Sequence, residues 1–173
     1  MAAIEVLPRQ DAAHSVGTQR AETFRPEITV ATIVERDGKF LFVEERVRGK
    51  LVLNQPAGHW EAGESLFDAA IRETLEESAW DVNLTGLVSI HHRVRSHDGQ
   101  TVVRFTFAAK PVAERVGAPL DRGIVRALWL SPEEMGAFQL RNDIVRSSLE
   151  DYLKRPPMPL DRVSTGPQVE SGA

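Results

Sequence analysis

The sequence contains no cysteine, and this absence limits the chemistry available to the chain. Disulfide bonds, thiolate metal sites and cysteine nucleophiles are all excluded. No apolar run at the N-terminus suits a signal peptide, and no stretch approaches the length of a membrane span. Excess positive charge is also absent, since the formal net charge is −4, so a protein that coats nucleic acid is not expected. These absences predict a cytoplasmic protein without a nucleic-acid or membrane partner, and they are compatible with a monomer or a homodimer.

The residues that are present fit one globular domain. The chain has 173 residues, of which 42% are hydrophobic and 27% charged, which is enough for a single core. Residues 1–24 are polar and aperiodic and are predicted to form a flexible arm. Residues 156–173 lack periodicity and are predicted to form a flexible tail. The domain itself is predicted to span residues 25–155.

Turn dipeptides between β-rich segments predict two hairpins. Asp37-Gly38 separates ITVATIVER from KFLFVEER, and Asp98-Gly99 lies between LTGLVSIHHRVR and TVVRFTFAAK. A further strand is predicted for IVRALWL. Strands therefore outnumber helices in the predicted domain.

Capping residues mark the starts of the helices. Ser65, followed three residues later by Asp68, resembles a capping box and predicts a helix over residues 66–79. Ser131, followed by a proline, predicts a second helix start, and a last helix is predicted over residues 143–154. The pattern as a whole predicts an α+β fold with a mixed β-sheet and helices packed on it.

The central helix carries three glutamates, Glu73, Glu76 and Glu77, on a face separate from its apolar face. Glu73 and Glu77 form a like-charge i, i+4 pair that costs a few tenths of a kcal/mol. All three lie in the second half of the helix, where the macrodipole disfavours anions, and no lysine follows them. Because these penalties bring no visible structural gain, we expect this face to have a function.

Two explanations fit the acidic face. The first is a divalent-cation site, since Mg²⁺ and Mn²⁺ prefer carboxylate oxygens, and Arg72 could pair with Glu76 and hold its rotamer. The second is a solvated surface without a ligand, which is the usual meaning of a charge run. The helix alone does not decide between them.

The loop before the helix favours the first explanation. From Gly58 the chain reads GHWEAGESLFDAAIRETLEESAW, with the spacing Gly, five residues, Glu, seven residues, Arg-Glu, two residues, Glu-Glu. This segment resembles the signature of the Nudix hydrolases, which cleave nucleoside diphosphates linked to other groups. Two positions depart from the signature, because Thr74 replaces an aliphatic residue and Ala79 replaces the glycine that normally ends the helix. The resemblance implies an α/β/α sandwich in which the signature loop and helix pack on a mixed sheet.

A narrower resemblance covers residues 27–155. The segments NQPAGHWE, VRFTFAA, LWLSPEE and QLRND look like those of the NudJ-type phosphatases within that family. That branch removes terminal phosphate from nucleoside tri- and diphosphates and from the pyrimidine diphosphate intermediate of thiamine synthesis. The resemblance therefore implies a hydrolase that uses Mg²⁺, with Mn²⁺ as a substitute, and acts on a nucleotide or another small diphosphate.

The Nudix resemblance also implies roles for individual residues. Catalytic roles are implied for Glu64, Arg72, Glu73, Glu76 and Glu77. The last three would bind the cation together with the carbonyl of Gly58, and Glu64 would support them.

The general base is left open by the sequence. Many Nudix hydrolases supply an acid just before the strand that here reads IVRALWL, but this chain has Gly123 there. Asp121 is the nearest acid and becomes a candidate metal ligand or base. Glu76 or Glu77 could serve instead, or a metal-bound hydroxide could need no separate base.

Six further residues are candidate substrate contacts: Glu45, Gln55, His59, Trp60, Arg104 and Arg141. Arg104 and Arg141 suit bidentate binding of phosphate, although arginines often form surface ion pairs instead. Trp60 suits stacking on a heterocycle, although tryptophan is more often buried packing.

Two other functions stay open at this point. A Nudix pyrophosphatase could act on ADP-ribose, a dinucleoside polyphosphate or an oxidised nucleotide with the same metal site. A non-catalytic Nudix domain could bind a nucleotide as a sensor, although a sensor need not keep the whole set of charged residues.

Overall fold

The computed structural model describes residues 23–164, which form seven strands, three α-helices and one short 3-10 helix. The strands are β1 (Glu27–Arg36), β2 (Lys39–Val47), β3 (Lys50–Asn54), β4 (Ala57–His59), β5 (Trp80–Val94), β6 (Thr101–Glu114) and β7 (Ile124–Leu130). The helices are α1 (Leu66–Ser78), α2 (Pro132–Met135), α3 (Asp143–Lys154) and the 3-10 helix Leu160–Arg162. Both predicted hairpins and all three predicted helices are present. No helix in the described range combines the length and apolar character that a membrane crossing requires.

The sheet is mixed, as predicted, and its strand order is β3-β2-β1-β6-β5. Strands β1 and β6 are parallel, whereas the hairpin neighbours β1 and β2, and β5 and β6, are antiparallel. The short strand β4 pairs with the first half of β1, and β7 pairs with β2. Strand β1 therefore pairs with a strand of each hairpin and also with β4, which leads into the loop before α1.

Helices α1 and α3 pack on opposite faces of β1, because successive side chains of a strand point to opposite sides. On one face, the hydroxyl of Thr32 lies 2.7 Å from that of Thr74 in α1. On the other face, Ile33 packs in a core cluster with Val145 and Leu149 of α3. This three-layer arrangement confirms the predicted α+β fold class.

Both ends of α1 have defined caps. At the start, Ser65 and Asp68 form the predicted capping box, in which each side chain accepts a bond from the other residue's backbone N–H. At the end, Ala79 adopts the left-handed conformation with φ 61°, and its N–H donates to the carbonyl of Leu75. The helix thus exits with the geometry that glycine usually supplies, although the residue is alanine.

The packed chain extends beyond the predicted domain boundary at residue 155. Met158 exchanges two backbone hydrogen bonds with Leu87, both of 2.8 Å. Leu160 and Val163 pack against the core cluster that contains Leu87. Residues 156–164 therefore include a segment that packs along the middle of β5, around Leu87. The rest of the predicted tail and residues 1–22 of the predicted arm lie outside the described residues.

Candidate active site

Arg72 ties the signature loop to the acidic face of α1. Its Nε and Nη2 bind both oxygens of Glu64, at 3.0 and 2.7 Å, in a bidentate pair. Its Nη1 donates to Glu73 at 2.8 Å and to Glu76 at 3.0 Å, and Nη2 also donates to the carbonyl of His59 at 3.1 Å. The hydrogen bond with Glu64 is the main reason that the pKa of Arg72 is raised and that of Glu64 lowered. The predicted pairing of Arg72 with Glu76 is present, and Arg72 also fixes the rotamer of Glu73.

Gly58 in β4 lies directly against the carboxylate of Glu73. A Cβ atom at position 58 would overlap the carboxylate of Glu73 and displace it from its present position beside Arg72. Glycine is therefore required here for the close approach of backbone to carboxylate. This contact places the Gly58 peptide beside the acidic face, as the metal-site prediction needs.

Glu73 and Glu77 are carboxyl groups held at the edge of the protein interior. The N–H of Ala57 donates to Glu77 at 2.8 Å. The pKa of Glu77 is raised to about 8, chiefly by burial and also by the nearby charges of Glu73, Glu45 and Asp121, whereas the hydrogen bond from Ala57 acts in the opposite direction. Burial also raises the pKa of Glu73, although Arg72 partly offsets the effect. A cation placed between these carboxylates would relieve both the burial and the repulsion.

A cleft of about 380 Å³ opens beside these carboxylates. Its acidic wall is formed by Glu73, Glu77 and Asp121, close to Gly58. Glu64 and Glu76 do not line it, and both of their carboxylates bind Arg72. Two of the three predicted metal-binding glutamates therefore face the cleft directly.

The carboxylates of the acidic wall are the available donors for the divalent cation that the sequence predicts. Among residues 23–164, no three His, Asp or Glu side chains converge on a single point. The reason is local, since Glu76 binds Arg72 while Glu77 binds the Ala57 N–H. The chemistry of the acidic wall nevertheless fits a hard divalent cation, because it offers carboxylates whose pKa values are raised chiefly by burial and further by their mutual repulsion.

Asp121 joins the acidic wall from the loop between β6 and β7. Its N–H donates to the carbonyl of Glu76 at 2.9 Å, which fixes the loop against α1. Within the described chain its carboxylate accepts no hydrogen bond and forms no ion pair, and its charge is felt by both Glu73 and Glu77. Asp121 thus lies in the same cleft as Glu73 and Glu77.

Arginine side chains line another part of the cleft, here called the basic wall. Arg104 and Arg141, both predicted as substrate contacts, line it together with Arg93 and Arg95, which sequence reasoning missed. Residues two apart on a strand share a face, so the alternation of side chains along the predicted β5–β6 hairpin could have identified Arg93 and Arg95. His59 also lines the cleft and lies 3.5 Å from the carboxylate of Glu27.

Three other predicted substrate contacts do not line the cleft. Gln55 is buried, with only 1% of its surface exposed, and its amide binds Arg104 and the carbonyl of Val145. Glu45 is held by Arg141 at 2.9 Å and by the amide of Asn54. These two side chains therefore position the arginines of the basic wall.

Trp60 is the third. It is 45% exposed, and its ring N–H donates to the carbonyl of Glu64 at 2.8 Å. This bond closes the signature loop upon itself, and the exposed ring is neither a core side chain nor part of the cleft lining.

Comparison with known proteins agrees with this geometry. A family model described as the NUDIX domain matches residues 23–151. Phosphatase NudJ of Escherichia coli (strain K12) is 37% identical over 141 residues, which cover 81% of this chain and 92% of that protein. The solved structure of a NUDIX hydrolase from Nitrosomonas europaea is 41% identical, with a TM-score of 0.79, and the match covers 82% of this chain and 98% of that one. The NUDIX domain of Shewanella oneidensis NrtR, solved with ADP ribose, shares the fold at 15% identity and a TM-score of 0.62, over 76% of this chain and 88% of that one. The chain therefore belongs to the Nudix family and is a Nudix hydrolase.

Proposed function

We propose that this hydrolase is a Mg²⁺-dependent phosphatase that releases orthophosphate from nucleoside tri- and diphosphates and from hydroxymethylpyrimidine diphosphate. The observation that carries the proposal is the division of one cleft into an acidic and a basic wall. A phosphoanhydride needs both, because its negative charge must be neutralised while a nucleophile approaches. The similarity to phosphatase NudJ supports orthophosphate as the product. The proposal includes a cytoplasmic monomer or homodimer without a nucleic-acid or membrane partner.

Nudix hydrolases generally use a divalent metal ion, usually Mg²⁺. In this chain Glu73, Glu77, Asp121 and the carbonyl of Gly58 are the groups proposed to hold it, with Glu76 recruited from its pair with Arg72. When bound, such a cation neutralises phosphate charge and lowers the pKa of a coordinated water, and Mn²⁺ can replace Mg²⁺ in that role. Because the cation binds the folded chain and not the unfolded one, its addition should stabilise the protein.

The remaining steps belong to side chains of the protein. Asp121 is the proposed acceptor of the proton lost by the attacking water, since no described residue competes for its oxygens. His59, Arg104 and Arg141 are the proposed contacts of the substrate phosphates. Glu64, through Arg72, holds the acidic face in place during the reaction.

The test is product identification. The purified protein with Mg²⁺ is incubated with nucleoside tri- and diphosphates, hydroxymethylpyrimidine diphosphate, ADP-ribose and a dinucleoside polyphosphate. Orthophosphate from the di- and triphosphates is the expected product. Pyrophosphate from triphosphates, or cleavage of ADP-ribose alone, would replace the phosphatase with another Nudix activity.

Two controls connect the result to the site. The Asp121→Asn variant should lower kcat with little change in folding, and omission of the divalent cation should abolish turnover. Nucleotide binding without turnover of any compound would show that the domain is a nucleotide sensor.

A further inference from the structure

The pairing register of three strands determines where the arginines of the basic wall lie. On β6, Arg104 lies opposite Thr29 of β1 and His91 of β5. Arg93 lies opposite Val102, two residues before Arg104 on the same face of the sheet. Arg93 and Arg104 therefore project from neighbouring strands into the same cleft, which both of them line.

Neither side chain forms an ion pair with a carboxylate of the described residues. Arg104 is only 5% exposed, and its Nη groups donate to the amide oxygens of Asn54 and Gln55, at 3.4 and 3.0 Å, rather than to a carboxylate. Its Nε has no hydrogen-bond partner among the described residues. Arg93 is half-buried and forms no hydrogen bond or ion pair within residues 23–164. A buried guanidinium without a carboxylate partner is costly and is typical of a site for an anionic ligand.

A third arginine adds to the same field. Arg141 reaches the cleft from the segment before α3, and its side chain is 39% exposed. The pKa of Arg104 is lowered to about 10, chiefly by burial; the charges of Glu77 and Glu45 oppose this, and those of Arg93 and Arg141 contribute to it. Arg93 and Arg141 are thus each close enough to Arg104 to repel it, and a bound anion would offset that repulsion.

Arg95 provides the contrast within the same wall. It lines the cleft too, but its guanidinium binds both oxygens of Glu27, at 2.6 and 2.8 Å, and also Asp98. Its charge is used to hold the strands together. The uncompensated charge of the wall therefore belongs to Arg93 and Arg104, with Arg141 shared between Glu45 and the cleft.

We propose that Arg93, Arg104 and Arg141 form a subsite for the terminal phosphate of the substrate, next to the phosphate held at the acidic wall. The inference rests on the proposed function, because it assigns one end of the cleft to each of two adjacent phosphates. Three positive side chains match a terminal phosphate, which carries up to two negative charges. A phosphate esterified on both sides carries one, so this subsite selects nucleoside di- and triphosphates over diphosphates linked to a second sugar.

The experiment measures binding in the absence of turnover. Isothermal titration with ADP is performed in EDTA on the wild-type chain and on the Arg93→Ala and Arg141→Ala variants. Removal of a charge-assisted contact should weaken ADP binding about ten- to hundredfold. ADP-ribose, which has no terminal phosphate, should lose less than about threefold, since its weaker charge depends less on the subsite. The matched control is Arg126→Ala, because Arg126 pairs with Glu44 away from the cleft.

Kinetics supply a second readout. With Mg²⁺ present, Arg93→Ala should raise KM for ADP more than it lowers kcat. Inorganic phosphate should compete with ADP for the wild-type chain and fail to compete for the variant. Arg104→Lys tests the buried position, because lysine keeps the charge and loses the planar contacts to both amides.

Each outcome has a separate meaning. Unchanged ADP affinity in Arg93→Ala and Arg141→Ala, or equal losses for ADP and ADP-ribose, would overturn the subsite while leaving the hydrolase intact. A selective loss of ADP binding without turnover of any phosphoanhydride by the wild-type chain would keep the subsite and reject the proposed activity.

Discussion

The two long helices of this domain are built according to different rules. Helix α3 has an Asn142 cap, an acid in its first turn and Lys154 in its last turn, which complements the helix dipole. Its i, i+4 pairs join Lys154 to Glu150 and Arg155 to Asp151. The charged residues at the two ends of α3, and the bases that pair with its late acids, therefore favour the helix itself.

Helix α1 begins in the same way and ends differently. After the capping box it has no basic residue in its last turn, and three glutamates occupy its second half. Glu73 and Glu77 are buried or half-buried and have raised pKa values, and Glu76 accepts a hydrogen bond from Arg72. The second half of α1, where like charges and the helix dipole are unfavourable, is therefore the half that faces the cleft. Substitutions at matched positions of the two helices can test this.

The largest difference is expected when one glutamate in each helix is neutralised. Glu77→Gln should lower kcat/KM on the order of 10²- to 10⁴-fold, because a charged group at the reaction centre is lost while the Ala57 N–H can still be bound. Glu150→Gln should leave kcat/KM unchanged, since Glu150 is a solvent-exposed partner of Lys154. Steady-state kinetics with Mg²⁺, and circular dichroism to confirm folding, measure both. Full activity of Glu77→Gln would reject the acidic wall as the metal site.

The next largest difference, in the free energy of unfolding, is expected when one arginine at each helix is replaced by lysine. Arg72→Lys removes the bidentate pair with Glu64 and the bridge to Glu73 and Glu76, and we expect a loss of about 2 kcal/mol in the free energy of unfolding. Arg155→Lys in α3 should change it by less than about 0.5 kcal/mol, because that side chain is 75% exposed. Urea denaturation of both variants compares the effects directly. Equal losses would mean that Arg72 is an ordinary surface partner.

The attachment of α3 to the sheet should depend on pH. Glu35 in β1 binds Lys110 at 2.6 Å and the hydroxyl of Tyr152 in α3 at 3.1 Å, and chiefly the bond to Lys110 lowers its pKa below 4.5. A lowered folded-state pKa gives stability that is present above pH 4.5 and lost as the pH falls through the folded value. Glu35→Gln should therefore cost about 1 kcal/mol or less at pH 7, discounted because Lys110 is half exposed, and progressively less below pH 4.5. Thermal unfolding between pH 3 and pH 7 is the measurement, and a difference that grows toward low pH would contradict this sign.

The sequence predicted those features that depend on neighbours in the chain. The hairpins, the caps of α1 and α2 and the acidic face of α1 follow from patterns of a few residues. Features that depend on strand pairing were missed, because the parallel contact of β1 with β6 joins segments 75 positions apart, as in Thr29 opposite Arg104. The burial of Gln55 likewise depends on distant segments, because its amide contacts Arg104 and the carbonyl of Val145, 49 and 90 positions away.

One departure from the Nudix signature, and the segment after α3, could be explained only from the structure. Thr74 replaces an aliphatic residue, and its hydroxyl is satisfied by Thr32 from another strand and by the carbonyl of Ala70. The proline-rich segment after α3 appeared to lack a core contact because Leu160 and Val163 are isolated apolar residues in the sequence. They reach the core only after the chain turns back along Leu87.

The smallest difference is expected at the C-terminal ends of the two helices, where glycine substitutions should change the free energy of unfolding in opposite directions. Ala79 holds φ 61°, which costs a non-glycine residue about 1–2 kcal/mol. Glycine would remove that strain, at the expense of about 0.4–1 kcal/mol of chain entropy and part of the burial of one methyl group. The balance predicts that Ala79→Gly stabilises the domain by roughly 0.5 kcal/mol. Arg155, at the exit of α3, has φ −143°, so Arg155→Gly removes no strain and should destabilise by about 0.5–1 kcal/mol. Urea denaturation of both variants decides the point: destabilisation of equal size would show that burial of the Ala79 methyl outweighs the strain of its backbone.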